Sequence, residues 1–541
     1  MTVARSVADV LTDHVTLEVE SIDRMYCNLY VPQLQHVNGV VQFFRGHRGA
    51  LFASSALMDP ISKDFVASIH RYCRDHDVPM IDFVKGQRKD DLAHEYLARF
   101  TGEEGVLFIG KAQEKTRVLR TEKRRNPDTG ATYPWIVSAT GIVNHFYVYA
   151  VDAEFGPFFI KFSSYFPYTA KICINGNEYA KRMAAKAGIG FTPLDNGFAA
   201  CDDPGRLQRI CDRLSPAKID GLVRKWLRRL PHPFTRADRA AGYRYDVSVL
   251  QAEFSLTQTL DRPATGRVFF EEVIRENLDL GRPDKVGLVF ARRIITKGRS
   301  KTPGRFRTRV LTAGVTPSLH IDYKNTKVKQ YHKLDRALRT ETTINDSRDF
   351  GIGKRLCNLP ALREVGFSAN RRLLAVQRLS HDPTIGATAI TDLTNPTLSP
   401  TGARVPALPI DSTRTQALLA ALVIFRLLPH GFRNRDLRAH LAPLLGTTAD
   451  TMTAGQLSYD LRRLRHHGLV ERVPGTHRYT IPDRGLHVAL FLTRNHARVL
   501  RPGLSDILDP HAIPTPIRRH LDRFTTAADD YARKQSLLAK T

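Results

Sequence analysis

The segment HFYVYAVDAEFGPFFIKFSSYFPY, residues 145–168, constrains the fold more than any other part of the sequence. Two aromatic-rich runs typical of strands flank DAEFGP, whose glycine and proline favour a tight turn. The segment therefore predicts a β-hairpin with Asp152 at the end of its first strand. Further strand-like runs, TPSLHIDYKNTKVKQYHK and ALRTETTIN, follow helical segments such as DGLVRKWLRRL. We expect a central mixed α/β domain over residues 126–386.

The rest of the chain divides by composition and periodicity. Residues 1–125 alternate strand-like runs such as VTLEVESI with helical ones such as DFVASIHRYCRDH, which predicts a small α/β domain. Residues 387–411 are rich in Thr, Pro and Gly without apolar periodicity, which predicts a linker. We expect a C-terminal module over residues 412–500 and a helical tail over residues 501–541. The expected fold class is thus α/β, mixed α+β and multidomain.

The C-terminal module contains GQLSYDLRRLRHHGLVERVPGTHRYTI, residues 455–481. Leu457, Leu461 and Leu464 follow helical spacing and predict a packed face. The opposite face of this helix carries four side chains able to contact nucleic acid, namely Tyr459, Arg462, Arg463 and His466. LVERV and RYTIP then flank the turn PGTH, so that His477 and Arg478 are expected on a two-stranded hairpin.

Helices are predicted over STRTQALLAALVIFRLL, NRDLRAHLAPLLG and TAGQLSYDLRRLRHHG. These three helices followed by the hairpin resemble the winged helix-turn-helix modules of bacterial regulators. The resemblance implies that the third helix enters the major groove of duplex DNA and that the hairpin contacts the backbone or minor groove. It favours a DNA-binding regulator or an accessory factor of a mobile element. A palindromic target would imply a homodimer, because two half-sites need two copies.

The net charge supports a polyanionic partner. Lys plus Arg outnumber Asp plus Glu by 81 to 54, a net charge of +27. From residue 412 onward we count 20 basic and 10 acidic residues, so this part alone contributes +10. DNA is the partner that the charge and the helix face together favour.

A second interpretation makes the central domain an enzyme. RNase H-like nucleases place an aspartate on the first strand of such a hairpin to hold Mg²⁺, and two ions held by carboxylates activate water and stabilise the leaving oxygen. Asp152 would then be a catalytic and metal-binding residue, with Glu154, Asp322 and Glu341 as possible partners. The alternative is that Asp152 caps a turn and that Glu341 forms an ion pair with Arg339.

A third interpretation is binding of structured RNA by the central domain. Four lysines, Lys324, Lys327, Lys329 and Lys333, surround Tyr331. Basic and aromatic side chains in this arrangement neutralise the backbone and stack on bases. Alternating aromatic residues in a strand are, however, also typical of a protein core.

Cysteine usage and hydropathy bear on localisation. The six cysteines are scattered without a CxxC pair or zinc-ligand spacing, which favours a reduced, cytoplasmic protein. The longest apolar run, ALLAALVIF at residues 417–425, is far shorter than the ~20 residues of a membrane span, so we expect no membrane partner.

Several segments together resemble a family of largely uncharacterised bacterial proteins from high-GC genomes. They include IDRMYCNLYVPQLQ, FGPFFIKFSSYFPYTAKICINGNEYAKR, KQYHKLDRALRTETTIN and QLSYDLRRLRHHGLVERVP. The family pattern reads NGHEYAKR where this chain has Asn177 in place of the histidine. The resemblance implies the C-terminal winged helix but no particular activity or cofactor.

Overall fold

The computed structural model describes residues 13–84, 86–262, 306–313, 316–333, 336–380, 387–425 and 431–496, with a few single positions besides. The strands are β1 (Val15–Tyr30), β2 (Met80–Asp82), β3 (Gly105–Arg125), β4 (Thr132–Asp152), β5 (Gly156–Ser163), β6 (Ala170–Asn175), β7 (Phe191–Leu194), β8 (Gly197–Cys201), β9 (Asp246–Leu260), β10 (Phe306–Ala313), β11 (Thr316–Tyr323), β12 (Thr326–Lys333), β13 (Ala337–Ile344), β14 (Thr397–Leu398), β15 (Arg404–Val405), β16 (Glu471–Arg472) and β17 (Tyr479–Thr480).

The described residues form thirteen α-helices. They are α1 (Val37–Gln42), α2 (Ser55–Asp75), α3 (Lys89–Arg99), α4 (Gly176–Lys186), α5 (Pro204–Asp212), α6 (Pro216–Arg229), α7 (Arg236–Ala240), α8 (Leu359–Ser380), α9 (Ala387–Thr394), α10 (Thr413–Phe425), α11 (Asn434–Leu444), α12 (Ala454–His466) and α13 (Asp483–Asn495). In the part of the chain that the structure describes, no helix combines the length and the apolarity needed to cross a membrane.

The main sheet has eleven strands in the order β10-β11-β12-β13-β9-β1-β6-β5-β4-β3-β2. The mixed α/β class expected from the sequence is confirmed. The boundary predicted at residue 125, however, falls in the turn between β3 and β4, which pair from Gly105↔Val151 to Arg125↔Thr132. The described strands before residue 125 therefore belong to the main sheet, in which β1 lies between β9 and β6.

Contacts divide the chain into two compact units. The first, which we call the sheet unit, comprises His14–Gly266 and Leu311–Asn370. The second, which we call the C-terminal unit, comprises Arg371–Thr541 with Met1–Asp13 and Arg267–Val310.

One face of the sheet packs against helices and holds most of the sheet unit's apolar core. Phe162 contacts Phe65 of α2 at a ring-centroid distance of 5.9 Å, and Phe158 contacts Trp226 of α6 at 5.0 Å. Phe254 packs against α8, where a Cβ on Gly366 would lie 2.2 Å from its ring, so that glycine permits the close approach. Burying each such aromatic ring contributes roughly 1.5–3 kcal/mol.

The opposite face carries polar side chains over β1, β9, β13 and β12, whereas over β3 and β4 it holds a second apolar cluster that includes Phe108 and Tyr149. Residues paired in register share a face, so Ser255 of β9 lies beside Ser21 of β1 and Glu341 of β13. Lys329 of β12 pairs with Glu341 and extends this polar row. Most of the candidate site residues predicted in the central domain lie on this polar face.

In the C-terminal unit, α10, α11 and α12 precede the β16–β17 hairpin, and α10 packs against α13. Thr453 caps α12: its hydroxyl accepts from the N–H of Gln456, whose side chain accepts from the N–H of Thr453, both at 3.2 Å. Gly468, at φ +70°, follows the helix end. Phe432 forms a β-bridge with Tyr479, which joins the segment before α11 to the hairpin.

The segment predicted as a linker, residues 387–411, is folded. It contains α9 and the β14–β15 hairpin, and it buries Leu393, Val405 and Leu408. The two ring nitrogens of His467 lie 2.9 Å from the carbonyl oxygen of Asp392 and 3.0 Å from that of Pro406, respectively. Strands of two residues and one short helix give no periodic pattern in the sequence, which explains why the sequence of this segment predicts a linker. The predicted tail over residues 501–541 lies almost entirely outside the described residues.

Candidate functional site

The outward face of α12 combines exposed basic and aromatic side chains. Leu457, Leu461 and Leu464 are all at most 1% exposed and hold the helix in place. Asp460 is also buried, and it accepts from Arg414 of α10 at 2.6 Å. Apolar packing and this ion pair therefore fix the rotation of α12 about its axis.

The four residues predicted on this helix face differ in their exposure and in their contacts. Tyr459 is 46% exposed and Arg462 is exposed. Arg463 instead donates to the carbonyl oxygen of Ala407, so its guanidinium is held against the folded 387–411 segment. His466 is half-buried, and burial together with the charges of Arg465 and Arg462 lowers its pKa, so its neutral form is favoured at pH 7.

Arg465 was not among the residues predicted here, and Arg478, predicted on the hairpin, is half-buried there. Arg465 is exposed on the same side of α12 as Arg462, one turn further on. On the hairpin, His477 is exposed, but Arg478 donates to the carbonyl oxygen of Gly431 at 3.3 Å. Tyr459, Arg462, Arg465 and His477 are thus exposed, as is Arg472 of β16.

The sheet unit contains a separate cluster of charged residues on its polar face. Within the described residues, Asp23, Glu253 and Glu341 form the group whose carboxylate oxygens lie within 4.8 Å of one another. They come from the neighbouring strands β1, β9 and β13. A bulge in β1 between Ile22 and Met25 places Asp23 beside Glu253.

Arg339 neutralises much of this acidic cluster. Its side chain is fully buried; it donates to Asp23 and to the carbonyl oxygen of Asn196, and its Nε lies 3.7 Å from Glu341. Asn177 and Asn196 donate to the other oxygen of Asp23. Three carboxylates could ligate Mg²⁺, but a metal ion would compete with Arg339 for Asp23. The cluster is therefore arranged first as a buried ion-pair network.

The pKa of Glu253 reflects the excess negative charge. Burial, with the carboxylates of Glu341 and Asp23 nearby, raises this pKa to about 7. Because the folded state holds the proton more tightly than the unfolded chain does, stability is expected to fall as pH rises from about 4.5 to about 7. At 1.36 kcal/mol per pKa unit, the loss is up to about 3 kcal/mol.

Glu253→Gln should remove that pH dependence. We expect urea unfolding curves to show that the variant gains stability relative to the wild type as pH increases from 5 to 8, by about 2–3 kcal/mol. Glu95→Gln, on the exposed face of α3, is the matched control and should leave the profile unchanged. Parallel profiles for wild type and Glu253→Gln would contradict the assigned environment of Glu253.

The residues predicted for a nuclease centre are not brought together. Asp152 of β4 and Glu341 of β13 are separated by four intervening strands, about 24 Å across the sheet. Asp152 is buried and accepts from Lys225 at 2.7 Å, from Trp226 at 2.9 Å and from two backbone N–H groups. Burial opposes ionisation, yet these donors hold the pKa of Asp152 below its usual range.

Glu154 and Asp322 also fall outside a common site. Glu154 forms an ion pair with Lys218 at 2.9 Å. Asp322 shares the polar face with Glu341, but the two strands flank β12 and lie about 10 Å apart. In this structure Asp152 is a turn residue that accepts from two backbone N–H groups, and Glu341 forms an ion pair with Arg339.

The four central lysines are not equivalent. Lys327 is exposed, Lys329 is half-buried opposite Glu341, and Lys324 occupies a turn at φ 49°. Lys333 donates to the carbonyl oxygen of Asn196 at 3.1 Å, and burial with the nearby charge of Arg339 lowers its pKa to about 8. Tyr331 donates to Glu341 at 3.1 Å, so it belongs to the ion-pair network rather than to an open stacking surface.

Asp23, Glu253 and Arg339 formed no part of the predicted site. Asp23 and Arg339 lie in strand-like runs, VTLEVESIDRMY and ALRTETTIN, which carry further charged residues, so the sequence alone does not distinguish them. Asn177 accepts from Ser21 at 2.8 Å and donates to Asp23 at 3.1 Å. Its role here is thus to orient the network.

Comparisons with known proteins give no assignment. No protein-family model matches this chain, and neither a curated protein nor a solved structure does.

Proposed function

We propose that this protein binds duplex DNA through the outward face of α12, in a winged helix-turn-helix arrangement. The observation that carries the proposal is the division of α12 into a buried leucine face and an exposed face with Tyr459, Arg462 and Arg465. An α-helix fits the major groove, where arginine pairs with guanine or with phosphate.

The elements around α12 support the same proposal. Asn434, at the start of α11, donates to Ser458 at 2.9 Å and to the carbonyl oxygen of Ala454 at 3.1 Å, which fixes the angle between the two helices. The β16–β17 hairpin follows α12 directly and exposes His477. Helix, turn, helix and hairpin in this order are the parts that a winged helix needs.

The proposed role is that of a DNA-binding regulator or an accessory factor of a mobile element. A palindromic target would require two copies of the chain, and hence a homodimer. Retention of structured RNA in preference to duplex DNA would favour the RNA-binding alternative. Mg²⁺-dependent cleavage would favour the nuclease alternative.

The test compares retention of duplex DNA, single-stranded DNA and structured RNA on native gels, with Mg²⁺ or with EDTA. We expect duplex DNA to be retained intact, and Arg462→Ala with Arg465→Ala to weaken its binding about tenfold or more. Arg71→Ala with Arg74→Ala, two exposed positions on α2, removes the same charge and serves as the control. Equal binding by both double variants would overturn the assignment to α12.

A further inference from the structure

The strands β3 and β4 extend well beyond the rest of the sheet. β5 pairs with β4 only from His145 onward, and β2 pairs with β3 only up to Lys111. From Lys115↔Ile142 to Arg125↔Thr132, the structure as described pairs these strands only with each other. We call these eleven residue pairs the ribbon; at about 3.4 Å per residue it is roughly 34 Å long.

The ribbon carries a strong positive charge. Between Lys115 and Ile142 the sequence has six basic residues and two acidic ones, Glu122 and Asp128, a net charge of 6 − 2 = +4. Most of the basic side chains are exposed. Isolated two-stranded ribbons are marginal in water, so one of this length needs support from the rest of the protein.

That support covers one face of the ribbon. Leu119 and Ile136 are each 2% exposed, and Thr121, on the same face, accepts from the N–H of Ser55 at 2.7 Å. Arg117 donates to the carbonyl oxygen of Gln35 at 3.3 Å. This face therefore packs against the segment before α1 and the start of α2.

Beyond the buried Val118, the other face exposes two arginines and two aromatic rings, with Glu122 between the arginines. The guanidinium of Arg124 lies 4.7 Å from the ring centroid of Trp135, and Tyr133 contacts Trp135 edge-on at 6.3 Å. Arg120 follows on the same face and is 62% exposed even though it lies 3.2 Å from Glu122. Trp135 is 38% exposed.

We infer that this face of the ribbon is a second DNA-binding surface, which lies against a groove of the duplex. A two-stranded ribbon fits the major groove, with one face toward the base edges and the other toward the protein. Arg120 and Arg124 are four residues apart on one strand, about 13 Å, and contact phosphates or guanine edges. The surface is formed entirely within the sheet unit and does not depend on α12.

The chain contains a direct reporter for this contact. Of its two tryptophans, Trp226 is 2% exposed in the core, whereas Trp135 lies on the proposed surface. Contact with DNA at the ribbon should therefore change the fluorescence of Trp135 and leave that of Trp226 unaffected.

The experiment titrates the full-length protein with a short duplex while recording both tryptophan fluorescence and the anisotropy of a dye on the DNA. We expect a saturable fluorescence change that Trp135→Phe abolishes. Arg120→Ala with Arg124→Ala should weaken binding about tenfold and lower the salt dependence by about two counterions. Arg71→Ala with Arg74→Ala should behave like the wild type.

Three outcomes would overturn the inference. The first is DNA binding without a change in Trp135 fluorescence. The second is unchanged affinity in the Arg120 and Arg124 double variant. The third is a change in Trp135 fluorescence that is as large with single-stranded DNA as with duplex DNA, because binding would then not require a groove. The two DNA-binding proposals can be told apart. If α12 does not bind DNA, the Arg462 and Arg465 double variant binds DNA like the wild type, independently of the result for the ribbon.

Discussion

Arg339→Met is expected to lower the free energy of unfolding by about 3–5 kcal/mol. Arg339 is fully buried, and it is the cation that bonds Asp23 and lies beside Glu341. Removing it leaves two carboxylates in a low-dielectric environment without their counter-charge. Chemical denaturation monitored by circular dichroism measures the change.

A double-mutant cycle separates the ion pair from simple loss of packing. Adding Asp23→Asn to Arg339→Met should recover part of the lost stability, because the amide carries no charge that needs compensation. Lys218→Met is the surface control: both Lys218 and Glu154 are 44% exposed, and breaking this pair should cost less than about 1 kcal/mol. Equal losses from Arg339→Met and Lys218→Met would contradict the proposed role of Arg339.

Asp152→Ala is expected to destabilise the protein by about 2–4 kcal/mol without abolishing DNA binding. The carboxylate accepts from Lys225, from the indole of Trp226 and from two backbone N–H groups, and alanine leaves these donors unpaired. Thermal and urea denaturation measure the loss, and anisotropy measures DNA binding.

Two comparisons make this prediction specific. Glu154→Ala, two residues away at a side chain that is 44% exposed, should cost less than about 1 kcal/mol. DNA affinity should be unchanged under conditions in which the Asp152 variant remains folded. Full stability combined with loss of a Mg²⁺-dependent cleavage would instead restore Asp152 as a catalytic residue.

Local features of the fold were predictable from the sequence because short-range rules determine them. The helix α12 follows from leucine spacing, from the capping pair Thr453 and Gln456, and from Gly468 at its end. The β4–β5 hairpin follows from its aromatic strands and from the turn after Asp152. In both cases the residues that determine the structure lie within about 25 positions of one another.

The charged cluster of the sheet unit could not be predicted in the same way. Asp23, Glu253 and Glu341 are far apart in the sequence and meet only because β1 lies next to β9, and β9 next to β13. No local pattern indicates that pairing. The hairpin pattern points to Asp152, whereas the order of the strands decides which carboxylates meet.

The salt dependence of duplex affinity tests the DNA-binding proposal most directly. For each phosphate contact that a variant loses, the slope of log affinity against log salt concentration should fall by about 0.9. We predict a slope lower by about 1.8 for Arg462→Ala with Arg465→Ala than for the wild type, and an unchanged slope for Arg71→Ala with Arg74→Ala. Duplex binding with the same slope in all three proteins, or no duplex binding by the wild type at low salt, would contradict it.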